Sequence, residues 1–373
     1  MTSITYVGMD VHTTNFTLCC YSIEDDQVFA EVVVEPKTDN ILNYLERVRK
    51  EKGCETKFLC GYEAGCLGYS LYLELKHHGI ECVILAPSTM GAMEGLKNKQ
   101  RKNDRRDARN ISKCLAFHTY SPVYVPTEMD DAVKEYIRMR DDIKDDLKKT
   151  KQQIIAFCTR HGKSYEGKSY WTNRHLDWLR HLEWNHPILK ETLDEYLVVY
   201  FQLQEKVDVY DLRIVEICQL PQYKERVDKL ICFKGIAELT ALALLVEIGD
   251  FQRFRHAHQF ASYLGLVPGE HSSGTSKSLT GITKAGNSHI RRLLIESAQG
   301  FGRGSCTSRK SKALQLRQQG QTPAVIAYAD KCNERLQRKF SKVLFRSCHN
   351  VAKTAVAREM ACFIWGMMTD NIS

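Results

Sequence analysis

A chain of 373 residues has room for two or three domains, and 43% hydrophobic with 26% charged residues is ordinary for a folded protein and excludes wholesale disorder. The formal net charge of +8 is unevenly spread: residues 277–373 carry 17 Lys/Arg against 5 Asp/Glu, a local net of +12, so residues 1–276 sum to −4. A basic C-terminal third on a near-neutral body points to a polyanionic partner, most simply nucleic acid, or to a solvated basic surface.

The N-terminus Met1-Thr2-Ser3-Ile4 has no basic leader and no signal-like apolar run, so secretion is not expected. No apolar stretch reaches the ~20 residues that span a bilayer; the best, Leu239–Ile248, is short and carries Glu247. None of the 14 cysteines shows C-x-x-C spacing, which disfavours a zinc site and reads as reduced cytoplasmic thiols.

In chain order, Tyr6–Val11, Phe16–Ser22 and Val28–Val34 are short apolar or β-branched runs, predicted to form an antiparallel meander. Asp39 is expected to cap an amphipathic helix with Ile41, Leu42, Leu45 and Val48 on one face. Lys57–Tyr62 reads as a strand, Leu67–His77 as a helix ended by Gly79, Cys82–Leu85 as a strand and Asp104–His118 as a helix. The order βββαβαβα is that of the ribonuclease-H-like fold, which by itself assigns no function.

Pro122 and Pro126 mark an exit. Residues 130–160 are charged and helical, and Lys163–Asn173 is a Gly/Ser/aromatic loop. From Leu189 through Leu193, Tyr196, Tyr200, Leu203, Val207, Tyr210 and Ile214 to Ile217, apolar residues alternate steps of four and three. That heptad is the seam of a coiled coil, paired either with helix 130–160 or with another subunit; a plain core helix is the simpler alternative. Pro221 ends it, and Leu230–Leu245 reads as helix, tight turn, helix with Lys234-Gly235 at the turn. This is similar to a helix-hairpin-helix, whose backbone amides hold phosphate, although Ala237 stands where a second glycine is usual. A polar loop spans His271–Ala285, a helix follows over Asn287–Gln299, and the remainder is basic helix with a gap near Gly302–Lys312.

Four acids carry the first candidate site. Asp10 lies in the first strand, Glu63 closes the fourth, and Asp104 and Asp107 share one face at the start of the last helix of that domain. An acid inside an apolar strand is costly unless paired or bound to metal. Carboxylates at the ends of these elements suit Mg²⁺, a hard cation that takes oxygen ligands, and two such ions can act on a phosphodiester. Lys102, Arg105 and Arg106 run among the last two acids and would neutralise substrate phosphates. The second site is Gly265–Gly274, holding Ser272 and Ser273, followed by Gly281–Arg292 with Lys284, Arg291 and Arg292. A serine hydroxyl attacking a phosphodiester needs cations on the phosphate oxygens, and these residues would supply them.

On these residues, with the Lys102–Ala108 run and the hairpin, the chain resembles the insertion-sequence 110 (IS 110) family transposases, bridge-RNA-guided DEDD recombinases. The resemblance covers essentially the whole chain. It departs from the family's common Ser-Gly-Gly-Lys variant at Thr275 and Ser276. It implies an α/β plus α architecture: a RuvC-like DEDD domain over 1–122, a coiled-coil linker over 123–222, and a mostly helical transposase domain over 223–373. Asp10, Glu63, Asp104 and Asp107 would then bind Mg²⁺, and Ser273, which directly precedes Gly274, would be the nucleophile rather than Ser272. Lys102, Arg105, Arg106, Lys234, Gly235, Lys284, Arg291 and Arg292 would contact nucleic acid. The implied partners are donor and target double-stranded DNA, an element-encoded noncoding bridge RNA, and further copies of the chain as a dimer or tetramer, with no membrane; the setting is a prokaryotic cytoplasm, at the nucleoid. Two other readings are a hydrolytic Holliday-junction-type nuclease and a regulator with a dead ribonuclease-H-like scaffold.

Overall fold

The structure is a computed structural model that describes residues 4–53, 56–65, 67–90, 104–270, 279–302 and 310–372. It divides into two compact units, residues 1–125 and 126–373, so the expected boundary at 222/223 falls inside the second.

In the first unit the strands are β1 (Ile4–Val11), β2 (Phe16–Ser22) and β3 (Gln27–Val34), then α1 (Thr38–Lys52), β4 (Lys57–Glu63), α2 (Ser70–His77), β5 (Glu81–Leu85) and α3 (Asp104–Phe117). The sheet order is β3-β2-β1-β4-β5. β1–β2 and β2–β3 pair antiparallel, as their short links require, while β1–β4 and β4–β5 pair parallel across helical crossovers. Asp39 does not cap α1. The helix begins one residue before it, and Asp39 sits in the first turn, where its charge favours the helix dipole instead.

Alternation along β1 divides the core. Val7 and Met9 face Ile41, Leu45 and Leu75 of α1 and α2. Tyr6 faces the other way, toward Ile111, Cys114 and Leu115 of α3. On that second face α3 lies very close to the sheet. A Cβ on Gly8 would run into the Ala108 carbonyl oxygen and the Ser112 backbone, and one on Gly61 would come within 2.9 Å of Leu115. Period-two alternation then places Asp10 with Gly8, and Glu63 with Gly61, on the α3 side.

The second unit opens with α4 (Glu128–Arg160), capped by the Thr127 hydroxyl, α5 (Asn173–Arg180) and α6 (Pro187–Cys218). α4 and α6 run antiparallel: the Tyr136 and Tyr210 rings lie 5.7 Å apart near one end and those of Phe157 and Tyr196 6.0 Å apart near the other. Leu193, Tyr200, Val207, Ile214 and Ile217 of the heptad are buried in this pairing. The seam thus packs within the chain against α4, the first of its two expected partners.

Beyond it come α7 (Pro221–Leu230), α8 (Glu238–Ile248), α9 (Ala257–Tyr263), β6 (Pro268–Glu270), β7 (Leu279–Ile282), α10 (Ser288–Ala298), α11 (Lys312–Gln318), α12 (Pro323–Arg346) and α13 (His349–Met368). α8 is buried nearly all round, which explains its unbroken apolar run. The expected helix-turn-helix is α7, a turn over 231–237 and α8, so its first helix ends where the sequence pattern placed its start. Part of the expected polar loop is an antiparallel pair, β6 with β7. Among the described residues no helix is long and apolar enough to cross a membrane.

Replacing Gly8 with alanine should destabilise the protein by roughly 1–3 kcal/mol, because the added methyl meets backbone that cannot swing aside. The urea-unfolding midpoint checks this; an unchanged midpoint would mean α3 can lift from the sheet at little cost.

Candidate functional site

Asp10 is only 9% exposed near the end of β1. Its carboxylate Oδ2 lies 3.3 Å from His12 Nε2, which lies 3.9 Å from Asp104 Oδ1 at the start of α3. Ligand atoms of Asp10, His12 and Asp104 fall within 4.8 Å of one another. Asp107 stands one helical turn along α3 from Asp104, and its charge reaches Asp10. Glu63 is half-buried at the end of β4; the register Met9↔Tyr62 makes it the strand neighbour of Asp10. Glu63 and Asp107 are not in the tight three-residue group.

The electrostatics are those of a site that repels itself. Burial pushes the Asp10 carboxyl above its ordinary range; His12 opposes this, and the charges of Asp107 and Asp104 add to it. Asp107 Oδ2 is buried with no hydrogen-bond partner among the described residues, and Asp10 Oδ2, equally buried, has His12 at 3.3 Å as its one close partner. Buried carboxylate oxygens are normally fully satisfied, so two under-satisfied ones at the mouth of a sheet fit a bound cation. His12 was not anticipated as part of this site. The signal was present: it follows Asp10 by two residues at the strand end, the spacing that returns to the same face.

The expected phosphate-contacting cations are placed variously. Arg105 reaches Glu31 of β3 at 3.4 Å, and Arg109 does so at 2.6 Å. Arg106 is half-buried in the same helix. Lys102 lies outside the described residues, as do Ser272, Ser273 and Gly274.

In the second unit, the Lys234 backbone amide donates to Asn333 Oδ1 at 2.9 Å and its ammonium to Gln337 Oε1 at 2.9 Å. Gly235 turns against the Ser297 carbonyl. The strands leading into and out of the serine stretch meet at a tight neck, where Gly265 (φ +65°) abuts the Ala285 backbone and Gly286 (φ +65°) the Tyr263 carbonyl. Side chains there would clash with main chain. Lys284 is exposed at this neck. Arg291 donates to the carbonyls of Leu264 at 2.8 Å and Ala285 at 2.7 Å, which fastens the neck from one side.

The neck is fastened from the other side by a partly buried charge network. Asn287 caps α10 by accepting from the Ile290 amide at 3.0 Å and donates to Glu247 Oε2 at 2.9 Å. His289 lies between two carboxylates, Nδ1 at 3.0 Å from Glu247 Oε1 and Nε2 at 3.0 Å from Asp141 Oδ2. Arg138 grips Glu247 bidentately at 3.0 and 3.1 Å. Arg140 and Arg292 both reach Asp141. Burial would lower the His289 pKa, but hydrogen bonds to Asp141 and Glu247 outweigh it and push it up to about 9. Burial would raise Glu247, but His289, Arg138 and Asn287 hold it down at about 2; Asp141 is lowered by His289, Arg292 and Arg140 in the same way. Arg291 and Arg292, expected to face nucleic acid, thus have partners inside the fold. Asp141 and His289 are 148 residues apart, so no sequence pattern joined them; Glu247 inside the apolar α8 run was the one visible anomaly.

Comparison with known proteins adds independent findings. A profile described as the transposase IS116/IS110/IS902 family matches residues 228–312, and one for the DEDD transposases of the IS110 type matches residues 7–161. The chain is 34% identical to y4qE of Sinorhizobium fredii over 314 residues, covering 84% of this chain and 75% of that protein. It is 31% identical to the transposase for insertion sequence element IS1533 of Leptospira borgpetersenii over 343 residues, covering 90% and 95%. A shorter likeness, 32% over 110 residues, joins it to the pilin gene-inverting protein of Moraxella bovis, covering 29% of this chain and 34% of that one.

The network makes a pH prediction. A histidine whose pKa is higher folded than unfolded stabilises the fold below 6.5, and that contribution is lost as pH rises through about 9. The stability difference between wild type and His289→Asn should shrink across this window by on the order of 3 kcal/mol. Chemical denaturation at a series of pH values measures it; a constant difference would mean His289 is neutral in the fold.

Proposed function

Because this chain belongs to the IS110 family of transposases, enzymes that cut and rejoin DNA, we propose that its N-terminal unit is a ribonuclease-H-like, RuvC-like metal domain. Asp10, Glu63, Asp104 and Asp107 would hold Mg²⁺. The observation that carries the reading is the pair of buried carboxylate oxygens on Asp10 and Asp107, one with only His12 near it and one with no hydrogen-bond partner among the described residues, beside Asp104. An all-carboxylate oxygen set suits a hard divalent ion. A bound ion would supply Lewis acidity and offset charge on the phosphate oxygens. The protein's own part is to hold the carboxylates converged before any ion arrives, through the close seating of α3 on Gly8 and Gly61. His12, 3.3 Å from Asp10, is positioned to hold a proton at the edge of the cluster.

The second part of the proposal is a serine nucleophile, Ser273, in the stretch that joins β6 to β7. Its hydroxyl oxygen would bond to the scissile phosphorus as the bond from phosphorus to the sugar oxygen breaks, and that oxygen would leave as a hydroxyl carrying the serine's proton. Attack by a hydroxyl of another DNA strand reverses the step and rejoins DNA without an external energy source. Lys284, exposed at the neck, suits a phosphate contact. Arg291 and the His289 network fasten the described segments on either side of the serine stretch. Guidance by an element-encoded RNA, donor and target duplexes as substrates, and assembly as a homo-oligomer rest on the family resemblance.

Asp10→Asn and Asp107→Asn should each lower strand exchange by roughly 100-fold or more, beyond what outer partners of a metal site usually contribute. In metal-free buffer the same variants should be more stable than wild type, since each removes a like charge. Calorimetric Mg²⁺ titration and thermal melts check both; full exchange by both variants would sink the metal reading.

Ser273→Ala should keep DNA binding, since a hydroxyl contributes about 1 kcal/mol, yet lose the covalent protein–DNA adduct on a denaturing gel. An adduct that survives in Ser273→Ala and vanishes in Ser272→Ala would move the assignment by one residue. Wild-type cleavage with no adduct would favour hydrolysis by water.

A further inference from the structure

The segment joining α4 to α6 has a composition that neither proposed site uses. Three of the chain's four tryptophans, Trp171, Trp178 and Trp184, lie within it, interleaved with Lys163, Lys168, Arg174 and Arg180. Two of the three have an internal task. Trp171 and Trp178 pack with Tyr165 and Tyr170 around His175, which is fully buried. The Trp171 amide donates to His175 Nδ1 at 3.1 Å. Those rings form the small core that closes the end of the helical hairpin.

Trp184 differs. It is half-buried against Phe157, ring centroids 5.1 Å apart, and forms one wall of a cavity of about 580 Å³. That volume lies in the ~300–1,000 Å³ range of small-ligand sites. The other lining residues are His161, Lys163, Asn185, His186 and the apolar Ile188 and Leu189, and among the described residues no carboxylate lines it. Lys163 Nζ lies 5.8 Å from the Trp184 ring centroid. The Trp184 indole N–H is buried with no acceptor among the described residues. An aromatic wall, an exposed amide with both donor and acceptor, and a set of cationic or protonatable groups are what one unstacked nucleotide requires: a stacking face, a partner for the base edge and charges for its phosphate.

We propose that this cavity at the tip of the α4–α6 hairpin binds a single unstacked nucleotide of a nucleic-acid strand, its base against Trp184 and its phosphate at Lys163. Asn185 reads or steadies the base edge, and a base arriving on the ring displaces the Lys163 ammonium toward the phosphate. None of its residues belongs to the proposed metal or serine sites, so its test reads binding and not recombination.

The experiment uses full-length protein and single-stranded octamers, one of uridine and one of thymidine, each with one 5-iodo base. After irradiation and digestion, the crosslink should map to the peptide containing Trp184. Unlabelled octamer should compete it away and a blunt duplex of the same length should not. Trp184→Ala should abolish it, and Trp184→Phe, which keeps a stacking face, should retain part. Lys163→Gln should lower the slope of log affinity against log salt by about 0.7, the release expected for one phosphate contact on a single strand. Preference for the uridine octamer assigns the nucleotide to RNA, and preference for thymidine to a DNA strand. Crosslinks that map only elsewhere overturn the proposal, as does a yield unchanged in Trp184→Ala. Should Trp184→Ala fail to fold, Asn185→Ala and Lys163→Gln decide: both sit at the cavity, and wild-type crosslinking by both overturns it.

Discussion

The burial of Asp10 on β1 beneath α3 is the constraint from which the first unit's chemistry follows. An ionised carboxylate in a dry setting is costly unless a counter-charge or hydrogen bonds meet it. Here the nearest groups are mostly further acids, with His12 alone opposing. The arrangement persists because it is over-determined elsewhere. Ile111, Cys114 and Leu115 of α3 are buried against Tyr6, Tyr21 and Leu85 of the sheet. Glycines at 8 and 61 let the helix approach to backbone contact, which leaves the acids at its N-terminal turn little room to separate. Packing energy distributed over the α3 interface thus holds together charges that would part if free.

The second unit contains a cluster of similar composition with the opposite outcome. Asp141 and Glu247 are partly buried carboxylates, yet each is met by an arginine and by one edge of His289. The imidazole sits in the first turn of α10, where the helix dipole disfavours a cation, so the two carboxylates are what keep it charged. The two carboxylates are met by His289 and three arginines, and no oxygen of these two acids is left orphaned. One cluster is complete and ties α4, α8 and α10 around the neck of the serine stretch. The other brings several acids to a single imidazole. The difference lies in the count of positive partners.

The same distinction qualifies the basic C-terminal third. Its net charge of +12 did point to a polyanion, and the chain is a transposase. Yet several of those cations have partners within the fold. Arg335 and Lys339 share Glu359, Lys310 meets Asp330, and Arg292 meets Asp141 and Glu296. Net charge gives the sign of the long-range field, which draws DNA; it does not identify the side chains free to touch it.

By itself the sequence determined the elements of the first unit, because alternation, helical periodicity and glycine stops are local properties of the chain. It placed Asp10, Glu63, Asp104 and Asp107 at the ends of those elements, and it carried the motifs by which the family is recognised. The heptad from Leu189 to Ile217 was equally legible as a periodic seam. Its partner was not, since an apolar stripe specifies burial without saying against what; tertiary packing chose α4 of the same chain. His12 could have been read from its two-residue spacing after Asp10, but only the tertiary structure revealed that Arg291 spends its hydrogen bonds on two carbonyls and that His289 links carboxylates 148 and 42 residues away. The physical reason is common to both. Whether a charged side chain faces solvent, a ligand or another residue depends on the low-dielectric surroundings that distant segments build around it, and sequence spacing carries no record of those segments meeting.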